Sequence, residues 1–328
     1  MDRIVIIQNI SESGMARIRG KYEYQVVEGL DEKKFLSEMA TADCILTKMA
    51  PLDRKDIENC PKLRVIGRHG VGFDSVDVKA ATERGIPVVV TPGANKRSVA
   101  EQTLAMILAL TKNLVESSNE TKAGNWNVRR YNKAYEFKGK RVGFLGLGNI
   151  GSETAHMCRG IDLEVAAYDP FLSDEEIKEL GCTPYHEVDE LLKDCDIISV
   201  HVPLNDKTRN LISWRELNLM RPHAIIVNCA RGGIINENDL ARALNEKVIA
   251  GAALDVYDGE VLDPNSPLAK ADNLICTPHM AAITETAANQ ICNMMLDGCF
   301  AILEGKKWPH VADRSVYDHP IWKNRPWA

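Results

Sequence analysis

Between residues 141 and 278 the chain alternates short apolar runs with longer stretches of mixed polarity. The runs lie at 141–147, 163–169, 197–202, 224–230, 249–255 and 274–278 and are rich in Val, Ile, Leu and Ala. A strand that is apolar on both faces has to be covered on both, which predicts a parallel sheet between two layers of helix. Six such strands separated by helical stretches match the two-halved dinucleotide fold, a Rossmann doubly wound sheet. The first hundred residues repeat the theme on a smaller scale, with strands predicted at 4–8, 24–27, 44–47, 63–67 and 88–91. The fold class expected is therefore α/β, a Rossmann sheet joined to a smaller flavodoxin-like α/β domain.

Two long helical patterns divide the chain. Ser98-Val-Ala-Glu101 reads as a capping box, and Leu104, Ile107, Leu108 and Leu114 then share one helical face. The second pattern runs over 286–303 and stops before Gly305. Read as bridges into and out of the nucleotide domain, they predict a discontinuous small domain of residues 1–97 with 288–328, and a large domain of 98–287. The tail, 306–328, carries Trp308, Tyr317, Trp322 and Trp327 and is expected to pack on the small domain.

Length and composition narrow the class. At 328 residues the chain suits two domains of ordinary size, and 45% apolar with 26% charged residues is normal for a globular protein. No apolar run approaches the ~18 residues of a membrane span, so neither export nor insertion is expected. Nine scattered cysteines without a Cys-x-x-Cys pair read as reduced and mostly buried, the pattern of a cytoplasmic protein, and no metal site is expected. A net charge of −6 without a long basic stretch argues against a nucleic-acid partner and for a small-molecule ligand.

The strongest chemical signal is the turn Gly146-Leu147-Gly148-Asn149-Ile150-Gly151, directly behind the run that ends at Leu145. A strand ending in Gly-x-Gly-x-x-Gly turns tightly into a helix and brings backbone amides and a helix N-terminus against a pyrophosphate. The next strand ends in Asp169, placed to accept hydrogen bonds from a ribose and to repel a 2′-phosphate. Pro170, Phe171 and Leu172 supply no arginine, so NAD is expected rather than NADP.

Three further segments carry signal: Asn228-Cys-Ala-Arg231-Gly-Gly, Leu254-Asp255-Val-Tyr-Asp-Gly-Glu260 and Thr277-Pro-His279-Met-Ala-Ala-Ile-Thr284. In order behind the glycine turn, they resemble the signatures of the NAD-dependent D-2-hydroxyacid dehydrogenase family over nearly the whole chain. Arg68-His-Gly-Val-Gly-Phe-Asp74 and Thr91-Pro-Gly-Ala-Asn95 are similar to the family's substrate-side motifs. The resemblance implies an active site in a cleft between the domains and a homodimer paired through the long helix that begins at Ser98.

Reduction of a 2-keto acid needs a proton donor at the carbonyl oxygen and an anchor for the carboxylate. His279 is the natural acid and base, since an imidazole titrates near ~6.5. Glu260 would hold its other ring nitrogen and keep it loaded. Arg231 offers a planar fork to the carboxylate and the polarised carbonyl oxygen. By resemblance, the backbone of Val71 and Gly72 also holds the carboxylate, with Lys48, His69 and Asn95 facing the substrate. Pro170, His201, Pro203, Cys229 and Ala230 would line the cofactor, and Asp255 would lie on its nicotinamide side. Asp258 rivals Glu260, because both stand in one acidic loop.

The chain departs from the family at Val261, where proline commonly follows the Glu, and at Ala281-Ala282, where glycine is common. Both changes bear on substrate shape more than on reaction type. A D-3-phosphoglycerate dehydrogenase is the alternative within the family, its phosphate needing cations drawn from Lys48, Arg54, Arg68 and Arg97. Outside enzymology the alternative is an NAD-sensing binding protein, as the family's corepressors are.

Overall fold

The computed structural model describes residues 1–132 and 134–327; Lys133 and Ala328, the last residue of the tail, lie outside the described residues. By its contacts the chain forms two compact units, one of Met1–Asn95 with Ile283–Ala328 and one of Lys96–Ala282.

In the first unit five strands, β1 (Arg3–Ile6), β2 (Glu23–Val26), β3 (Cys44–Thr47), β4 (Val65–Arg68) and β5 (Val88–Val89), form one sheet. Every pair is parallel. The order β2-β1-β3-β4-β5 is the flavodoxin-like one. Both faces are covered, as the continuous apolar runs require: Ile4, Ile6, Cys44, Leu46 and Val65 face one cluster, and Val5, Ile45 and Ile66 the other. The helix Glu285–Leu303 supplies Met295, Leu296, Cys299 and Ile302 to the first cluster and ends before Gly305, whose φ is 83°. The aromatic tail packs here too, with Val316, Tyr317 and Trp322 buried in that cluster and the Trp322 indole donating to the Gly85 carbonyl at 2.7 Å.

The second unit holds β6 (Arg141–Leu145), β7 (Glu164–Tyr168), β8 (Thr183–Pro184), β9 (Ile197–Val200), β10 (Ile225–Asn228), β11 (Gly251–Leu254) and β12 (Leu274–Cys276). Their order, β12-β11-β10-β9-β6-β7-β8, is the Rossmann arrangement with one added strand at the β12 edge. The sequence pattern predicts six of these seven and misses β8, a two-residue edge strand ending in proline with no apolar run to betray it. The chain winds outward from β6 in one direction to β8 and in the other from β9, so the switch point lies between β6 and β9, where such sheets open a crevice for ligands.

One helical expectation fails. The helix begins at Lys96, not at Ser98, so Ser98 is already inside it and cannot cap it; its hydroxyl donates instead to the Ala281 carbonyl at 2.7 Å. Glu101 pairs with Arg97 at 2.7 Å. The helix also stops at Thr111, and Asn113, at φ 50°, turns the chain into a separate helix, Leu114–Lys122, so that Leu114 leaves the buried face and is 55% exposed. All nine cysteines are free thiols, and only Cys276 is exposed.

Candidate active site

The glycine turn shows a separate reason for each glycine. Gly146 has φ 92°, and a Cβ there would lie 2.9 Å from the His201 carbonyl oxygen. A Cβ on Gly151 would stand 2.3 Å from the Gly146 carbonyl oxygen, so the helix sits against the strand only because position 151 has none. Gly148 is different: nothing lies within 4 Å of its missing Cβ. It is the N-cap of the helix Asn149–Arg159 and offers no capping side chain, which leaves the helix N-terminus open to an anion. An open, uncapped helix end beside a bare glycine fits a pyrophosphate.

Asp169 follows β7 and is drawn into the turn. Its Oδ2 accepts from the Leu147 amide at 2.8 Å and its Oδ1 from the Phe171 amide at 3.0 Å. A carboxylate accepts about four hydrogen bonds, so each oxygen keeps a lone pair for a ribose hydroxyl. Pro170 and Phe171 beside it are exposed. His201 follows β9; its amide closes onto the Leu145 carbonyl, its ring bonds the Ser199 hydroxyl at 2.7 Å and stacks on Phe144, and burial pushes the imidazole down to about 3. It is a neutral wall of the crevice. Pro203 is exposed, and its carbonyl accepts from Thr208 at 2.5 Å.

Arg231, Asp255 and His279 follow the C-terminal ends of β10, β11 and β12, at one edge of the sheet. Arg231 is placed by Asn228, whose side chain accepts from the Ala230 amide at 2.9 Å and donates to the Arg231 carbonyl at 2.8 Å. The Arg231 guanidinium also reaches the Ala230 carbonyl at 2.7 Å. Cys229 turns its thiol inward onto Met106 Sδ at 3.6 Å, and burial pushes it up to about 12, so only its backbone is left for a ligand.

His279 Nδ1 and Glu260 Oε2 lie 2.7 Å apart, and the ring is about one-third exposed. Asp258 is not the partner: Arg209 holds it at 3.1 Å, and its amide donates to Glu237 at 2.6 Å. Asp255, with no exposed surface, spends its carboxylate on the His279 loop. Oδ1 accepts from the Met280 amide at 2.9 Å and from the Thr277 hydroxyl, Oδ2 accepts from the Ala281 amide at 2.9 Å, and the Asp255 carbonyl accepts from the His279 amide at 2.8 Å. Sequence reading gives Asp255 a cofactor contact and does not anticipate this holding role. Asn228, by contrast, announces itself: an Asn closing an apolar strand before Ala-Arg-Gly is a turn-forming signal.

In the first unit the expected substrate residues lie on two loops and a strand end. Lys48 follows β3 in a loop held by Gln8, whose Oε1 accepts from the amides of Lys48, Met49 and Ala50 at 3.2, 2.8 and 3.0 Å. His69 follows β4 and donates its amide to Thr47; burial, with Lys48 and Arg68 nearby, pushes its imidazole down to about 4. Val71 and Gly72 continue that loop, Val71 being 39% exposed. Asn95 lies beyond β5 with a buried Oδ1 that has no partner, as does the hydroxyl of Thr91. Among the described residues no group of three His, Cys, Asp or Glu side chains is placed to hold a metal, and no helix is long and apolar enough to cross a membrane.

Residues 104–281 match the family model described as D-isomer specific 2-hydroxyacid dehydrogenase, NAD binding domain. The whole chain is 38% identical to a protein of Methanocaldococcus jannaschii named D-3-phosphoglycerate dehydrogenase, of whose length it spans 62%. It is 34% identical to a glyoxylate reductase of Aeropyrum pernix, with 96% of each chain covered. Among solved structures, one from Thermus thermophilus superposes with a TM-score of 0.87 at 29% identity, covering 95% of this chain and all of that one.

Proposed function

Because this chain belongs to the D-isomer specific 2-hydroxyacid dehydrogenase family, we propose that it interconverts a 2-keto acid and its D-2-hydroxy acid with NAD(H). The observation that carries the reading is the 2.7 Å hydrogen bond between His279 and Glu260, on the sheet edge that also bears Arg231. The bound nicotinamide supplies the redox chemistry. Gly146, Gly148, Asn149, Ile150 and Gly151 would hold its pyrophosphate and Asp169 its ribose, the negative charge of Asp169 favouring NAD over NADP.

The protein's own part is binding and proton transfer. With Nδ1 donating to Glu260, the proton that moves is the one on His279 Nε2, passed to the carbonyl oxygen in reduction and regained in oxidation. Glu260 fixes the ring and its proton at Nδ1. Arg231 presents parallel donors to the substrate carboxylate and to the oxygen that gains charge. In the first unit, the proposal gives the amides of Val71 and Gly72 a role in binding a carboxylate, and Lys48, His69 and Asn95 a role in binding the rest of a substrate. His69, being neutral, contributes hydrogen bonding and no charge.

A phosphorylated 2-hydroxy acid is the second reading, favoured by the 38% identity to a relative named for that substrate. Two of its four candidate cations are engaged elsewhere: Arg54 pairs with Glu83 at 2.7 Å, and Arg97 with Glu101 and Glu153 at 2.7 and 3.1 Å. Of the other two, Arg68 donates to the His69 carbonyl at 2.5 Å and to Met49 Sδ at 3.8 Å, and Lys48 stands beside the same apolar, 47% exposed Met49, which supports a substrate of lower charge.

We place a homodimer contact on the helices Leu114–Lys122 and Val128–Tyr131 and the turn between them, where Leu114, Val115, Trp126 and Tyr131 are all exposed. Monomers rarely leave such a patch open to water.

NADH oxidation at neutral pH against glyoxylate, hydroxypyruvate, phosphohydroxypyruvate, pyruvate, phenylpyruvate and branched keto acids, with NADPH as control, tests the reading. One dominant unphosphorylated substrate with NADH is the expected result. Failure of every keto acid while NADH still binds overturns it in favour of an NAD-sensing binding protein.

A further inference from the structure

Three loops of the second unit converge on one residue outside the catalytic set. The Tyr257 ring is buried in the core under the sheet. Its hydroxyl lies 3.1 Å from the Leu254 carbonyl and 3.0 Å from the Thr277 carbonyl, two residues before His279. Its own carbonyl accepts from the Glu260 amide at 3.0 Å. Its backbone presses on the Arg231 loop: a Cβ at Gly232 would fall 1.9 Å from the Tyr257 carbonyl carbon and 2.0 Å from its oxygen. We infer that Tyr257 is a positioning residue that locks the Arg231, Glu260 and His279 loops in one register.

The inference rests on the catalytic reading above and adds a cause for its geometry. Glu260 and His279 both sit in left-handed backbone, at φ 69° and 52°, a conformation that persists only where the surroundings impose it. The Asp255 side chain imposes it on the His279 loop alone, through Thr277, Met280 and Ala281. Tyr257 is the residue that touches both segments, the one through its carbonyl and the other through its hydroxyl. Packing requires only the ring, since Phe would fill the same space. The hydroxyl, which has one hydrogen for two carbonyls, is what ties the loop before His279 to the strand end from which the Glu260 loop departs.

Tyr257→Phe, made in the full chain, removes that tie and leaves the ring. With the keto acid that the wild type reduces, kcat is expected to fall about tenfold, with the KM for NADH within about twofold of wild type, because reacting groups displaced by a fraction of an ångström lose rate before affinity. A second readout needs no substrate: the downfield proton resonance of the His279 Nδ1 to Glu260 hydrogen bond, assigned by its loss in Glu260→Ala, which removes the acceptor. It is expected in the wild type and broadened or lost in Tyr257→Phe, at an unchanged melting temperature. A wild-type-like resonance in the variant overturns the inference. So does a wild type without the resonance, or a lowered melting temperature with the resonance intact, which marks a purely structural role. If no keto acid is turned over, the catalytic reading fails and the proton resonance alone decides the positioning role.

Discussion

Glu260 and His279 are joined by a 2.7 Å hydrogen bond, and both residues reach it from left-handed backbone. Neither can relax to an ordinary conformation without parting from the other. The pair is therefore built for position first, and its chemistry depends on that position being kept.

Glu260→Gln separates charge from geometry, because the amide oxygen still accepts from Nδ1. The variant is expected to keep NADH affinity and lose about 10- to 100-fold in kcat. His279→Ala is expected to abolish turnover with NADH binding nearly intact, as read by fluorescence titration.

The two glycines at the start of the turn separate folding from cofactor binding. Gly146→Ala forces a side chain into φ 92° against the His201 carbonyl and should cost about 1–2 kcal/mol or more in urea unfolding. Gly148→Ala meets open space at an ordinary φ of −67°, so stability should stay within about 0.5 kcal/mol while NADH binding weakens at least about tenfold. Equal NADH affinity in the Gly148 variant would remove the pyrophosphate from this turn.

His201 sets a pH limit on the fold. Its imidazole is held down to about 3, whereas in the unfolded chain it titrates near ~6.5. The unfolded chain takes up the proton first, so the stability that neutral His201 contributes is complete above ~6.5 and is lost as pH falls from there toward about 3. Between pH 7 and 5 this amounts to about 1–2 kcal/mol. His69, held down to about 4, acts in the same direction. Denaturant unfolding at several pH values should show a shallower decline for His201→Phe than for wild type; parallel curves would discard the assignment.

Trp126 is 67% and Tyr131 57% exposed on the helical segment assigned to the dimer contact. Trp126→Glu with Leu114→Glu should convert a dimer into a monomer by light scattering at micromolar concentration, with each chain still folded. A wild-type monomer under those conditions would discard the contact.

The strand pattern of both sheets was legible because buried parallel strands are continuous apolar runs, and the pairing of His279 with Glu260 because both stand behind such runs in segments that resemble the family's signatures. What escaped has local causes. β8 is two residues long at a sheet edge, and the helix start at Lys96 lies ahead of a Ser-x-x-Glu that mimics a cap. The holding role of Asp255 was not visible, because a lone acid at a strand end gives no sign of the three donors that the chain later brings to it from 277–281. Glu260 was preferred to Asp258 from the sequence, but the reason Asp258 is out of play, its pairing with Arg209 some fifty positions earlier, is not contained in that loop.

The grip of Gln8 on the three amides after β3 leaves the course of the loop indifferent to what its side chains are. Shape is encoded on β1's side of the sheet and, on the proposed function, recognition on the loop itself, so Lys48 and Met49 are free to vary without the backbone moving. A new substrate preference can then arise one side chain at a time, on a frame that does not have to be rebuilt for each.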